Sequence, residues 1–193
     1  SLLPQEEPWR LAGEVLNTYI IVEQGDKVLF IDKHAAHERM NFDRMKAEGY
    51  DPVSQTLLAP AVCRLPPEEH AALTARLPLL EEFGFAAEDF GGGALIVRRA
   101  PFDVDPGDIE ATLTEIARKL LSTGSADPAA ARDELLHTMA CKAAIKGGWR
   151  TSPQELERVA RAVMSGQVRY CPHGRPVAIE LTRGQLEKQF KRA

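Results

Sequence analysis

The clearest periodicity in the chain lies in PGDIEATLTEIARKLLSTG, residues 106–124, where Ile109, Leu113, Ile116 and Leu120 recur at the spacing of one helix face. DPAAARDELLHTMACKAAIKGG (127–148) predicts a second long helix with Gly147-Gly148 as its stop. SPQELERVARAVMSG (152–166) predicts a third, whose Ser152 and Glu155 have the spacing of a capping box. AAHERMNFDRMKAEG (35–49) is rich in Ala, Met, Arg and Glu and ends at Gly49, again a helix. PPEEHAALTARLPLLEEFG (66–84) opens on Pro-Pro and two glutamates, which suit a helix N-terminus, and runs to Gly84. The other apolar runs read as strands. NTYIIVEQGDKVLFID (17–32) gives two, joined at Gln24-Gly25-Asp26. VSQTLLAPAVCRL (53–65), interrupted by Pro60, GGGALIVRRAP (91–101) and YCPHGRPVAIEL (170–181) give further strand-like segments, and TRGQLEKQF (182–190) a short last helix. SLLPQEEPW (1–9) is polar and contains proline, and is read as a linker remnant.

Strands, one helix, a mixed middle, long helices and a returning strand predict an α+β fold in two lobes. One lobe, sheet plus helices, draws on both ends of the chain, residues 10–54 and 133–193, and a smaller α/β lobe, residues 55–132, is inserted into it. The three glycines 91–93 form no dinucleotide fingerprint, because no helix follows at the required spacing.

Composition narrows the setting. The 193 residues are 44% hydrophobic and 27% charged, ordinary for a water-soluble domain, and no apolar run approaches the length of a membrane span. Three widely separated cysteines, Cys63, Cys141 and Cys171, make a poor disulfide framework, so a reducing, cytoplasmic setting is expected. The net charge of −4 argues against strong independent binding to nucleic acid, which depends on neutralising phosphates. The charge is uneven, however. Residues 141–193 carry eleven Lys/Arg against four Asp/Glu, compatible with weak DNA contact assisted by a partner and equally with a solvated basic face.

DKHAAHERM, residues 32–40, concentrates candidate chemistry. On a helix, His34 and Glu38 are four apart on one face, and Asp32 ends the preceding strand; an imidazole and a carboxylate one turn apart are a metal-ligand pair. A helix N-terminus that favours acidic residues, with surface histidines, would give the same pattern. CPHGRP (171–176) offers Cys171 and His173 on a loop stiffened by proline, a zinc-friendly combination, although Cys171 could equally be a buried apolar residue. Cys141, in ACKAAIKGG, is a further soft candidate or a core cysteine. Together these would make a mixed N/O/S site for one or two divalent ions, suited to phosphoryl chemistry.

DKHAAHERMNFD resembles the DQHA(x)2E(x)4E motif of the endonuclease-type MutL mismatch-repair proteins. ACKAAIKGG resembles their Ala-Cys-Arg motif, CPHGRP their Cys-Pro-His-Gly-Arg-Pro motif, and the terminal FKR their Phe-X-Arg motif, all in the family's order. The resemblance implies a C-terminal domain, in which the lobe of 10–54 and 133–193 dimerises and carries the metal site. It implies a metal-dependent endonuclease that nicks one strand of duplex DNA. Asp32, His34, Glu38, Cys141, Cys171 and His173 would surround Zn²⁺, structural or regulatory, and a catalytic Mn²⁺ or Mg²⁺, with Arg175 in the third motif and Arg192 coming from the partner subunit. The partners it implies are a second copy, duplex DNA, the replication sliding clamp, the N-terminal ATPase domain and a mismatch-recognition protein. A nucleoid-associated cytoplasmic location is expected, with no membrane.

The chain departs from the pattern at three positions. Lys33 replaces glutamine and sets a positive charge next to Asp32, able to attract phosphate or to repel a metal. Asp43 replaces the final glutamate and is shorter; Lys142 replaces arginine and lacks the planar fork. QTLLAP (55–60) resembles the family's clamp-binding motif, with Gln55, Leu58 and Pro60 as its anchors, or else is an ordinary edge strand. Clamp tethering would compensate for weak DNA affinity by raising local concentration. The rival expectation is a dimerisation module that keeps a zinc site and no longer cuts.

Overall fold

The computed structural model describes residues 6–123, 127–147 and 152–192. It is an α+β molecule of seven strands and seven α-helices among those residues. By contacts the chain divides into two compact units, Ser1–Asn41 with Gly147–Ala193, and Phe42–Lys146.

The first unit is built on a four-stranded antiparallel sheet in the order β1-β2-β3-β7: β1 (Trp9–Val15), β2 (Tyr19–Gln24), β3 (Lys27–Asp32) and β7 (Ala178–Thr182). Strand β1 begins at Trp9, the last residue of the stretch read as linker, whose residues 1–5 lie outside the described residues. Register decides which side chains share a face, because residues paired across an antiparallel ladder point the same way. Ile20 pairs with Ile31 and Ile31 with Ala178. These line the buried face, where Ile20, Val22 and Ile31 join Ala36, Val159, Ala160, Val168, Cys171 and Val177 in one core. Helix α1 (Lys33–Glu48) follows β3 directly, and α6 (Pro153–Met164) contributes Val159, Ala160 and Ala162 to that core. The short α7 (Arg183–Gln189) opens with a true capping box between Thr182 and Gln185.

The second unit has a three-stranded sheet, β4-β6-β5, from β4 (Ser54–Arg64), β5 (Ala86–Gly91) and β6 (Ala94–Pro101). Its separate core gathers Leu73, Leu80, Phe83, Phe85, Leu95 and Val97 with Leu113, Ile116, Leu135 and Met139. Ile109, Leu113, Ile116 and Leu120 all face inward from α4 (Ile109–Ser122), as their spacing requires, and α5 (Pro128–Gly147) supplies the rest. The expected glycine stop of α5 falls partly on Gly148, outside the described residues.

Three expectations are corrected. The single helix expected over 66–84 is two, α2 (Pro67–Thr74) and α3 (Leu77–Glu82), with Pro78 at the first turn of the second. There proline's missing N–H is no loss. Pro60 does not interrupt the strand at 53–65; the ladder slips between Thr56 and Ala61, so residues 57–60 bulge from an edge strand and proline's missing donor is tolerated. Ser152 accepts from Glu155 N at 3.2 Å, yet the return half of the expected capping box is not made, because the Glu155 carboxylate is drawn to His37 and Arg158.

Candidate metal centre

The segment 32–38 is delivered by a strand that ends and a helix that begins with no loop between them. Asp32 N donates to Val177 O at 2.7 Å, tying the strand end to the chain just before β7. Asp32 Oδ1 then accepts from His34 N at 3.0 Å and Ala35 N at 3.1 Å. Asp32 is therefore the N-cap of α1: one carboxylate oxygen satisfies the helix's first amides and holds the whole side chain at the helix mouth. The cap and ligand readings of this aspartate are compatible, because Oδ2 makes no hydrogen bond to any described residue. His34, in the first turn, is exposed, and Glu38 lies one turn further, half-buried.

CPHGRP forms a tight turn. Gly174 N donates to Cys171 O at 2.9 Å and Cys171 N to Arg175 O at 2.8 Å, closing a hairpin that Tyr170 and Pro176 bridge. Pro172 supplies the fixed φ of the second turn position, and Gly174 takes φ +81°, open to glycine and strained for other residues. The turn carries one buried and one exposed ligand candidate. Cys171 is 3% exposed and packs in the core of the first unit, while His173 points outward. Arg175 is exposed.

The two segments, far apart in sequence, meet at one point: His173 Nδ1 lies 3.5 Å from Glu38 Oε1. That is long for a hydrogen bond. Two donors held about 2.0–2.2 Å from one zinc at a tetrahedral angle stand about 3.4 Å apart. The pair thus fits an ion by donor type and separation. Among the described residues, no group of three or more His, Cys, Asp or Glu side chains stands ready-made around one point.

The other candidates are placed as follows. Cys141 and Lys142 are half-buried on α5 and Asp43 is half-buried on α1, all three in the second unit, whereas Asp32, His34, Glu38, Cys171 and His173 belong to the first. Arg192 is exposed and borders a cleft of about 270 Å³ with Glu23, Lys27, Leu186 and Phe190. Gln55 is half-buried at the start of β4, Pro60 is exposed, and Leu58 is fully exposed in the bulge, whereas Leu57 packs on the core of the second unit. Lys33 overturns an expectation: its charge does not stand beside the Asp32 carboxylate. The side chain turns toward the end of β1 and the turn after it, is 0% exposed, and donates from Nζ to Glu14 Oε1 at 2.9 Å and Asn17 Oδ1 at 3.0 Å. The charge is compensated there, and repulsion of a metal at Asp32 is no longer expected from it.

One residue escaped sequence reading. His37 is buried, and its Nε2 lies 3.0 Å from Glu155 Oε1, a carboxylate also held by Arg158. Burial pulls the imidazole below its ordinary value, partly opposed by the hydrogen bond to Glu155. Its signal in the sequence is the second histidine of DKHAAHE, three residues from His34.

The profile of the MutL C terminal dimerisation domain matches residues 12–151. The DNA mismatch repair protein MutL of Acidiphilium cryptum is 38% identical over 203 residues, covering all of this chain and 35% of that protein. Its namesakes from Syntrophobacter fumaroxidans (36% identical, 93% of this chain, 27% of the relative) and Caldanaerobacter subterraneus subsp. tengcongensis (33%, 95% and 31%) are similar over the same region. The chain spans about a third of the length of these relatives. With a profile match over most of its length and relatives above 30% identity along nearly all of it, the chain belongs to the MutL C-terminal dimerisation domain family.

Proposed function

We propose that this domain dimerises a mismatch-repair protein and nicks one strand of duplex DNA with a divalent metal ion. The observation that carries the cutting activity is the convergence of Glu38 and His173 at 3.5 Å, on the helix that Asp32 caps and whose first turn carries exposed His34. Glu38 and His173 would hold Zn²⁺, with Cys171 as the soft donor of the same turn; Asp32 and His34 would face the catalytic Mn²⁺ or Mg²⁺. A bound divalent ion supplies Lewis-acid stabilisation of the charge that develops on a phosphodiester during hydrolysis. The protein's own residues position that chemistry. Asp32 is fixed in direction by its cap, Glu38 by its place one turn beyond His34, and His173 by the proline-stiffened turn. Arg175 and the partner's end around Arg192 would add positive charge toward phosphate.

Dimerisation has its own surface. Ile21 pairs with Phe30 and Phe30 with Ile179, all on the sheet face opposite the core. Val15 and Tyr19, themselves paired, extend the stripe. Ile179 is 61% exposed, and Val15 and Tyr19 are exposed too. A one-sided antiparallel sheet ordinarily turns polar residues to water, so a contiguous apolar stripe marks a face made for a second copy. The clamp would dock on the edge bulge at Gln55, Leu58 and Pro60, offsetting the weak DNA affinity of an acidic chain. The ATPase domain and mismatch-recognition protein would place the cut.

The test is nicking of supercoiled plasmid by the full-length protein with Mn²⁺, trace Zn²⁺ and loaded clamp. Wild type converts the plasmid to open circles, and Asp32→Asn and Glu38→Gln each lower the rate at least about 100-fold, the first by losing a group that faces the catalytic ion and the second by losing one that holds the zinc. A folded, dimeric wild type that leaves the plasmid intact would replace this reading with a dimerisation module that does not cut.

A further inference from the structure

The start of the first unit holds a polar cluster that the proposed cleavage site does not use. Strand β1 turns into β2 through Leu16 and Asn17, with φ of 55° and 48°. Both lie in the left-handed region, the pattern of a type I′ hairpin turn, closed by Thr18 N donating to Val15 O at 3.1 Å. Asparagine accepts this conformation readily and leucine does not. Leu16 is 82% exposed, so its own packing cannot hold it there. Thr18 Oγ1 donates to Leu16 O at 2.8 Å within the turn, and Lys33 ties the residues on either side of Leu16. The Lys33 backbone N donates to Thr18 O at 3.0 Å, and its buried Nζ bridges Glu14, on β1, and Asn17, in the turn. One residue earlier, Asp32 N donates to Val177 O at 2.7 Å, and Asp32 pairs with Tyr19 in the ladder. The Asp32–Lys33 link is thus gripped from both sides.

We propose that Lys33 is a positioning residue, and that the Lys33–Glu14–Asn17 cluster, gathered around its buried ammonium, fixes the strand end from which Asp32 caps α1 and faces a divalent ion. The metal half of this inference rests on the function proposed above; the cap half does not. The two charged members are interdependent. Removing Glu14's charge leaves a buried ammonium with neutral acceptors only, worse than removing both charges together. A glutamine at both positions still offers amide hydrogen bonds without a buried charge.

Glu14→Gln, Lys33→Gln and the double variant are compared under conditions where each keeps the wild-type near-ultraviolet circular dichroism. Two readouts are taken: hydrogen exchange at the His34 and Ala35 amides, which donate to Asp32, and Mn²⁺ affinity by electron paramagnetic resonance. Glu14→Gln is expected to speed exchange at these two amides about tenfold, with α6 amides unchanged, and to weaken Mn²⁺ binding about fivefold. The double variant is expected to return both within about twofold of wild type. Unchanged exchange and affinity in folded Glu14→Gln overturns the proposal; so does equal loosening of α6, which would make the cluster a general brace. If Glu14→Gln does not fold, Asn17→Gly keeps the left-handed turn, removes one acceptor, and should move the same readouts in the same direction, and its silence overturns the proposal. A wild type that neither binds Mn²⁺ nor nicks defeats the nuclease reading alone, because exchange at His34 and Ala35 still decides whether Lys33 holds the cap.

Discussion

His37 stands between two candidate ligands in sequence, yet its imidazole turns into the first unit and meets Glu155, itself clamped by Arg158. A neutral imidazole donates one hydrogen bond to that carboxylate and needs no charge to do so. Burial lowers the pKa of His37, so in the fold it binds a proton less readily than in the unfolded chain. Unfolded protein then takes up more protons as pH falls through about 6.5 toward the lower folded value, and stability is lost over that window and retained above it. In the metal-free protein, urea denaturation between pH of about 7.5 and 5.5 should show stability falling with pH by at most about 1.4 kcal/mol per unit from this group, and His37→Gln should flatten the slope. Glu155, lowered first by Arg158, loses its contribution only below the ordinary carboxylate value of 4.5, so the two groups separate. A slope unchanged in the variant would mean that His37 is not held neutral. At this scale the sequence was informative about residue type and silent about direction. Asp32 ends its strand and His173 lies on a turn, as each segment's pattern predicts, whereas the way Lys33 points depends on Glu14 and Asn17, nineteen and sixteen residues away across a hairpin turn that no glycine announces.

Among the elements, β4 shows best why pattern reading stopped short. Pro60 inside an apolar run argues against a central strand, and the run is in fact an edge strand that bulges over four residues to accommodate it. The bulge separates two neighbouring leucines by environment: Leu57 packs on the core and Leu58 has no cover. Leu57→Ala should cost roughly 1–2 kcal/mol of stability, in proportion to its partial burial, while Leu58→Ala should stay within about 0.5 kcal/mol. Chemical denaturation of both variants checks this. Under the function proposed here, Leu58→Ala should also abolish clamp binding in a pull-down with purified clamp, and retained binding would return QTLLAP to an ordinary edge strand. Helices α4 and α6 were legible because each buries one continuous stripe against its own unit. Strands β1 and β5 were missed because neither holds a fully buried position and β5 does not alternate at all; their place comes from ladder partners.

On the scale of the molecule there are two cores, one per unit, and each is assembled from segments adjacent in the unit but not in the chain. The basic end of the sequence pairs with its acidic start in the first unit, leaving that unit 13 Lys/Arg against 11 Asp/Glu, while residues 42–146 hold 11 against 17. Charge alone would therefore bring DNA to the first unit only weakly, and two copies held together would double the contact and steepen its dependence on salt. The Ile21–Phe30–Ile179 stripe is the feature on which that doubling depends. Ile179 sits on the edge strand β7, where a charge meets no covering group in the single chain. Ile179→Glu should consequently leave the isolated fold within about 0.5 kcal/mol of wild type, since substitutions at exposed sites cost little. In a dimer the same glutamate would be buried against its own copy, two unpaired carboxylates at one interface, a penalty of several kcal/mol. Analytical ultracentrifugation should find wild type sedimenting as a dimer at micromolar concentration and Ile179→Glu as a folded monomer, and its thermal midpoint should lose any dependence on protein concentration. A variant that sediments with wild type would move the dimer contact off this sheet face.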